Sequence, residues 1–248
     1  MEVIVFFTSY WIYYILGIIM IPGLIFGAIA QSKINSNYKT YKQIPTKKGK
    51  TANEVCREIL DRNNLSNIQL TTTDKELGDH YDPTKETIAL SPGVNEHSTI
   101  ASLGIACHEV GHALQDQANY FPAKLRKFLV PVVNFCSAML WPLVIIGFLI
   151  DFGGATNSIV GDICIYSGCV FFGLATLFSL ITLPTELDAS KRALKELSGY
   201  GYLDEEELIG AKKVLQSAAL TYVASLVVSI LNFLRFLLTV LAITKNKD

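Results

Sequence analysis

Residues 107–113 read Cys107-His108-Glu109-Val110-Gly111-His112-Ala113. Two histidines four positions apart on a helix lie on one face, one turn apart, so both imidazoles can reach a single ion. Neutral imidazole suits zinc. A catalytic zinc takes three protein ligands and leaves a place for water, whose pKa it lowers to roughly 7. Glu109 neighbours His108 and projects towards that place, where it can take the water's proton as a general base. The pattern therefore predicts metal-assisted hydrolysis with one Zn2+ per chain. The bland alternative is two polar-face histidines on an ordinary helix. It is disfavoured because the whole chain holds four histidines, which makes a chance match of this spacing rare.

A third ligand must come from elsewhere in the chain. The stretch Pro184-Thr185-Glu186-Leu187-Asp188-Ala189-Ser190 offers Glu186 at the start of an expected helix, with Asp188 as the second choice. Ser190 lies one turn beyond Glu186, where it can hydrogen-bond a ligand from behind. The competing reading makes Glu186 and Asp188 ordinary acids at a helix N-terminus. Upstream, Asp79-His80-Tyr81-Asp82-Pro83 is a turn-rich stretch. In it, His80 and Tyr81 can donate to an oxyanion. His97 precedes the motif helix and reads as a neighbour of its cap.

These residues must be positioned by the rest of the chain, half of which is apolar. The apolar residues cluster in four blocks, 3–30, 129–150, 159–183 and 219–243. Each is long enough for a bilayer crossing, which takes roughly 20 residues. The first block lacks a basic leading region and is too long for a signal sequence, so it reads as a retained anchor. Lys33, Lys39 and Lys42 follow the first block, and Lys124, Arg126 and Lys127 precede the second. By the positive-inside rule, 31–128 and 184–218 share the cytoplasmic face and both termini lie outside. Two spans thus return the chain to the side that carries His108 and His112. The organisation expected is a first span within 1–30, a cytoplasmic catalytic region 31–128, spans two and three within 129–183, a helical segment 184–218 carrying the third ligand, and a last span with the tail over 219–248.

Within 31–128, Thr51-x-x-Glu54 is a capping box that opens a helix ending near Asn63 and Asn64. Residues 68–72 and 87–90 read as short strands, and Ser98 as the N-cap of a helix over 99–118. Asp204-x-x-Glu207 reads as a box opening a helix that runs into the last span. A net charge of −1 gives no reason to expect nucleic acid. Five cysteines without CxxC spacing read as free thiols, which suits a cytoplasmic catalytic region.

The three motifs together, His108-Glu109-Val110-Gly111-His112-Ala113, Asp79-His80-Tyr81-Asp82-Pro83 and Glu186-Leu187-Asp188-Ala189-Ser190, resemble the bacterial neutral zinc metallopeptidases of the YugP-like type over essentially the whole chain. More remotely, the chain is similar to the HtpX-like and CAAX prenyl proteases. There a Glu-x-x-x-Asp motif supplies the third ligand and a supporting aspartate. Glu186 matches the glutamate, while Ser190 stands where the aspartate would be. The resemblance implies hydrolysis of peptide bonds in peptide or membrane-protein substrates. It also implies that the strand before the motif helix, 87–90, pairs with extended substrate. The expected fold is mainly α and integral to the bacterial plasma membrane, with four transmembrane helices and a small α+β, zincin-like catalytic region. Two other functions compete. A non-catalytic zinc scaffold or sensor would have no use for Glu109 and would favour a fourth protein ligand. A transporter would line its spans with charge, and these spans are poor in it.

Overall fold

A computed structural model describes residues 17–152 and 159–245. Of the first apolar block, residues 3–16 lie outside the described residues. The elements in chain order are helices α1 (Met20–Tyr41) and α2 (Ala52–Arg62), strands β1 (Gln69–Thr72), β2 (His80–Asp82) and β3 (Thr87–Leu90), then helices α3 (Pro92–Asn95), α4 (Ile100–Gln117), α5 (Phe121–Phe152), α6 (Ile159–Gly199) and α7 (Glu205–Lys245). The fold is mainly helical with one small sheet. It divides into two compact units. One comprises 29–124 and 183–222. The other comprises, of the described residues, 17–28, 125–152, 159–182 and 223–245.

The unit formed by 29–124 and 183–222 has a layered core. The expected capping box is present on α2, where Thr51 accepts from the Glu54 backbone and Glu54 accepts from the Thr51 N–H. Its apolar residues Ala52, Val55, Cys56, Ile59 and Leu60 recur at helical spacing and are all buried. They pack with Ile88 and Leu90 of β3 and with Leu103, Ala106, Cys107, Val110 and Leu114 of α4. Helix α4 begins one residue later than expected. Thr99, not Ser98, is the cap, and Thr99 and Ser102 satisfy each other's backbone N–H reciprocally. The segment before α2 fastens this end: Thr46 N donates to Ser98 O at 2.9 Å and Ile100 N to Ile44 O at 3.0 Å. The His97 carbonyl accepts from Ala52 N at 3.0 Å and from Ser102 Oγ at 2.9 Å.

The sheet has the order β1-β3-β2, with β1 parallel and β2 antiparallel to β3. This corrects the expectation for 87–90. Strand β3 is paired on both edges, so it has none left for an extended substrate. The strand that occupies that edge, β2, lies inside the stretch read as a turn. Asp82 and Pro83 mark a real turn there, with Asp82 Oδ1 accepting from Thr84 N at 2.9 Å and Lys85 N at 3.2 Å. Only three residues precede that turn in extended form, too few to show an alternation.

Three helices among the described residues are long and apolar enough to cross a membrane, within Phe121–Gly147, Ile159–Gly199 and Glu205–Leu241. In the second unit Val144, Ile165, Phe236 and Val240 form a buried cluster. Thr176 and Ser229 hydrogen-bond through their hydroxyls at 3.0 Å. Large apolar side chains such as Phe135, Leu149 and Val170 stay exposed. Asp204 and Glu207 cap α7 reciprocally, each carboxylate accepting the other's N–H at 2.9 Å. The boundary expected at 184 is not a helix start: α6 runs unbroken through Pro184 to Gly199. Proline removes one helical hydrogen bond, and a helix packed among others absorbs that loss.

Ile88 is fully buried at the centre of the sheet. Ile88→Ala is expected to destabilise the protein by about 3 kcal/mol, read as a lowered denaturant midpoint of the purified full-length chain.

Candidate metal centre

The two motif histidines sit midway along α4, one turn apart, with ring centroids 4.8 Å from each other. Facing them is Glu186 of α6, only 2% exposed. Its Oε2 lies 3.1 Å from His108 Nε2 and 3.6 Å from His112 Nε2. Candidate ligand atoms of the three residues lie within 4.8 Å of one another, and this is the cluster among the described residues that could hold a metal ion. Asp188 is not part of it.

Each imidazole is held from behind. Ser190 Oγ lies 3.1 Å from His108 Nδ1, and Gln115 Oε1 lies 3.0 Å from His112 Nδ1. With both Nδ1 atoms so engaged, both Nε2 atoms are left to face Glu186. This is the donor set of a catalytic zinc, two imidazole nitrogens and one carboxylate oxygen. Burial works against a charged Glu186, but the His108 and His112 rings more than reverse that, so its carboxyl lies well below the usual carboxylate range. Burial likewise opposes charge on His112, and Glu186 and Glu109 outweigh it, raising the imidazole above its ordinary value.

Glu109 is 8% exposed and accepts from the Tyr81 backbone N–H at 3.0 Å. The edge strand β2 therefore touches the expected base directly. The two upstream side chains are committed elsewhere. Tyr81 donates its hydroxyl to Asp116 Oδ2 at 3.3 Å, and burial followed by that carboxylate pushes its pKa up. His80 is exposed, with Nδ1 2.8 Å from Gly78 O. A carbonyl only accepts, so Nδ1 carries the proton, and Nε2 becomes a donor only when the ring is imidazolium. Asp79 accepts from Ser91 N at 2.7 Å and Ser91 Oγ at 3.0 Å, which pins the start of this segment. A cavity of about 220 Å³ opens beside His108, Glu109 and Glu186, and Ile34, Ile105, Val214, Leu215 and Tyr222 are among its walls.

Sequence reading missed the residue that lets α4 and α6 approach. A Cβ placed on Gly111 would lie 2.3 Å from Ala189 O and 3.0 Å from Ala189 C. Both are backbone atoms that cannot swing aside. The signal was a glycine inside a helical pattern, between the two histidines, where it costs helix stability unless packing requires it. Gln115 was missed as well. Its signal was an uncharged polar residue one turn beyond His112, on the face that carries both histidines.

A cluster able to hold a metal ion thus stands in a mainly helical chain with three helices among the described residues long and apolar enough to cross a membrane. The chain belongs to the family described as "Putative neutral zinc metallopeptidase", whose profile matches residues 16–241. It is 40% identical over 209 residues, 84% of this chain and 89% of the relative, to the "Putative membrane protease YugP" of Bacillus subtilis (strain 168). No solved structure matches it.

Gly111→Ala is expected to force the two helices apart, costing about 2 kcal/mol of stability as overpacking does and lowering zinc content with it. Gly104 lies on the same helix, and its added Cβ would meet nothing nearer than Ala211 Cβ at 3.6 Å. Gly104→Ala should therefore leave zinc content unchanged and, by removing a helix-interior glycine, should not lower stability. Thermal unfolding with metal analysis of the two variants checks this, and equal behaviour would remove the special role of Gly111.

Proposed function

We propose that the protein is a membrane-embedded zinc endopeptidase, with one zinc per chain, acting on peptides or membrane proteins at the cytoplasmic face. The observation that carries this reading is the convergence of His108 Nε2, His112 Nε2 and Glu186 Oε2 beside a Glu109 carboxylate held by the Tyr81 N–H. His108, His112 and Glu186 hold the metal. Zinc bound there supplies Lewis acidity, making a water acidic enough to attack a carbonyl at neutral pH. Glu109 takes the proton from the attacking water and passes it to the leaving amine. The Tyr81 N–H keeps that carboxylate aimed at the site. Ser190 fixes the His108 ring, and Asp188 supports the far side of the site through Gln115.

A substrate segment passes beside Glu109 and the end of β2, where the Tyr81 N–H is already given to Glu109, so side chains rather than strand pairing hold it. The apolar cavity then accepts a side chain next to the scissile bond. An oxyanion donor on this side is His80 as imidazolium, or Tyr81 once released from Asp116. The family and the apolar helices support a membrane setting. The lysines and arginines flanking the apolar blocks support the cytoplasmic face.

Glu109→Gln keeps the size of the side chain and removes its basicity. It is expected to lower cleavage of an unfolded protein such as casein by about 10²–10⁴-fold while zinc stays bound at one per chain. Undiminished cleavage would refute Glu109 as the base. A wild-type protein that binds one zinc and cleaves nothing would favour a zinc-binding scaffold instead.

A further inference from the structure

The polar contacts behind His108 and His112 are not equivalent. Gln115 is fully buried on α4. Its Nε2 lies 2.7 Å from Thr185 O and 3.0 Å from Asp188 Oδ2, and its Oε1 lies 3.0 Å from His112 Nδ1. A peptide carbonyl has no hydrogen to give, so the amide atom facing Thr185 O must be the NH2 group. The amide oxygen is then turned to His112 with no freedom to flip. An amide oxygen only accepts, so His112 must carry a proton on Nδ1. Its Nε2 lone pair is thereby left for the site. Ser190 behaves differently, because a hydroxyl beside His108 Nδ1 rotates to donate or accept and dictates neither tautomer.

We propose that Gln115 is a positioning residue that locks the Nδ1–H tautomer of His112 and ties that ligand to the helix carrying Glu186. The inference rests on the reading of His108, His112 and Glu186 as metal ligands. One amide does both tasks because its two ends differ in kind. The NH2 end is anchored on α6 by two acceptors, and Asp188 is itself held by Arg192 Nε at 2.6 Å. The negative Asp188 drawing on one amide hydrogen polarises the group and strengthens its oxygen as an acceptor. That in turn raises the basicity of the far imidazole nitrogen. Arg192, Asp188, Gln115 and His112 thus form one line of contacts ending at the expected metal.

The test measures zinc affinity by competition with a chelator, and thermal stability in parallel, on the purified full-length chain. Gln115→Met removes donor and acceptor at similar volume and is expected to weaken zinc binding about 10–100-fold. Gln115→Glu keeps an oxygen towards His112 Nδ1 while disturbing the contacts to α6. It should lower the melting temperature yet hold zinc affinity within about threefold, well short of the loss expected when a partner of a ligand is removed. Asp188→Ala leaves Thr185 O to orient the amide and should cost no more than about fivefold, again less than such a loss. If Gln115→Met and Gln115→Glu weaken zinc equally, Gln115 is only a tie between helices and the proposal falls. It also falls if Asp188→Ala costs as much as Gln115→Met, which would move the role to Asp188. A wild-type chain that binds no zinc would instead overturn the ligand assignment beneath it.

Discussion

The site depends on how closely two helix backbones approach at one point. Side chains normally hold packed helices about 8–10 Å apart. At Gly111 the α4 backbone meets Ala189 of α6 with no Cβ between them. Ala189, which is fully buried, is the smallest residue that keeps a side chain on the other face. The polar contacts bracket this point. On one side His108 meets Glu186 and Ser190, and on the other Gln115 reaches Thr185 and Asp188. Each such hydrogen bond contributes about 1 kcal/mol net, but only while the helices stay in register. The glycine sets the distance and the hydrogen bonds set the rotation.

That approach brings together groups which repel unless something positive lies among them. With its proton on Nδ1, neutral His112 presents a lone pair to Glu186, and His108 turns its own Nε2 to the same oxygen at 3.1 Å. Glu186 is 2% exposed, and burying a carboxylate without compensation is costly. Two imidazole nitrogens and a carboxylate converge in a largely buried space. Protons ease the conflict, which is why the carboxyl of Glu186 is held low and the His112 imidazole is raised. A divalent cation held by His108, His112 and Glu186 would ease it further, since it would answer all three donors at once. Metal binding and protonation of these rings then compete for the same lone pairs, as they do wherever histidine is a ligand.

The three residues that converge in this cluster were legible in the sequence because helical periodicity is strict. Four positions make one turn, so His108 and His112 had to share a face, and a third ligand had to sit on an element returning to that face. The caps at Thr51 and Asp204 were legible for the same local reason. What escaped depended on partners distant in sequence. Glu186 was expected at a helix start because proline so often stands there, yet α6 continues through Pro184. The strand at His80–Asp82 exists because β3 lies beside it, and nothing in three residues bracketed by aspartates announces that. Gly111 and Gln115 act across the helix pair, so their roles become visible only once α6 is in place against α4.

Whether such a centre performs a reaction or only holds a metal turns on ligand count and on where the next carboxylate is aimed. A structural zinc closes its shell with four protein ligands, whereas a catalytic one leaves a place open. The cluster here contributes three residues. A further carboxylate, Glu109, shares the helix with both histidines and is held by the Tyr81 N–H beside the cluster, in the wall of the cavity that His108 and Glu186 also line. A fourth ligand would have been easy to supply from that position, since Glu109 adjoins His108 in the chain. Its tether to β2 keeps it in that cavity wall, where the proposed reaction would need it. A storage or scaffold site gains nothing from holding a base at that spot, and a hydrolase needs one there.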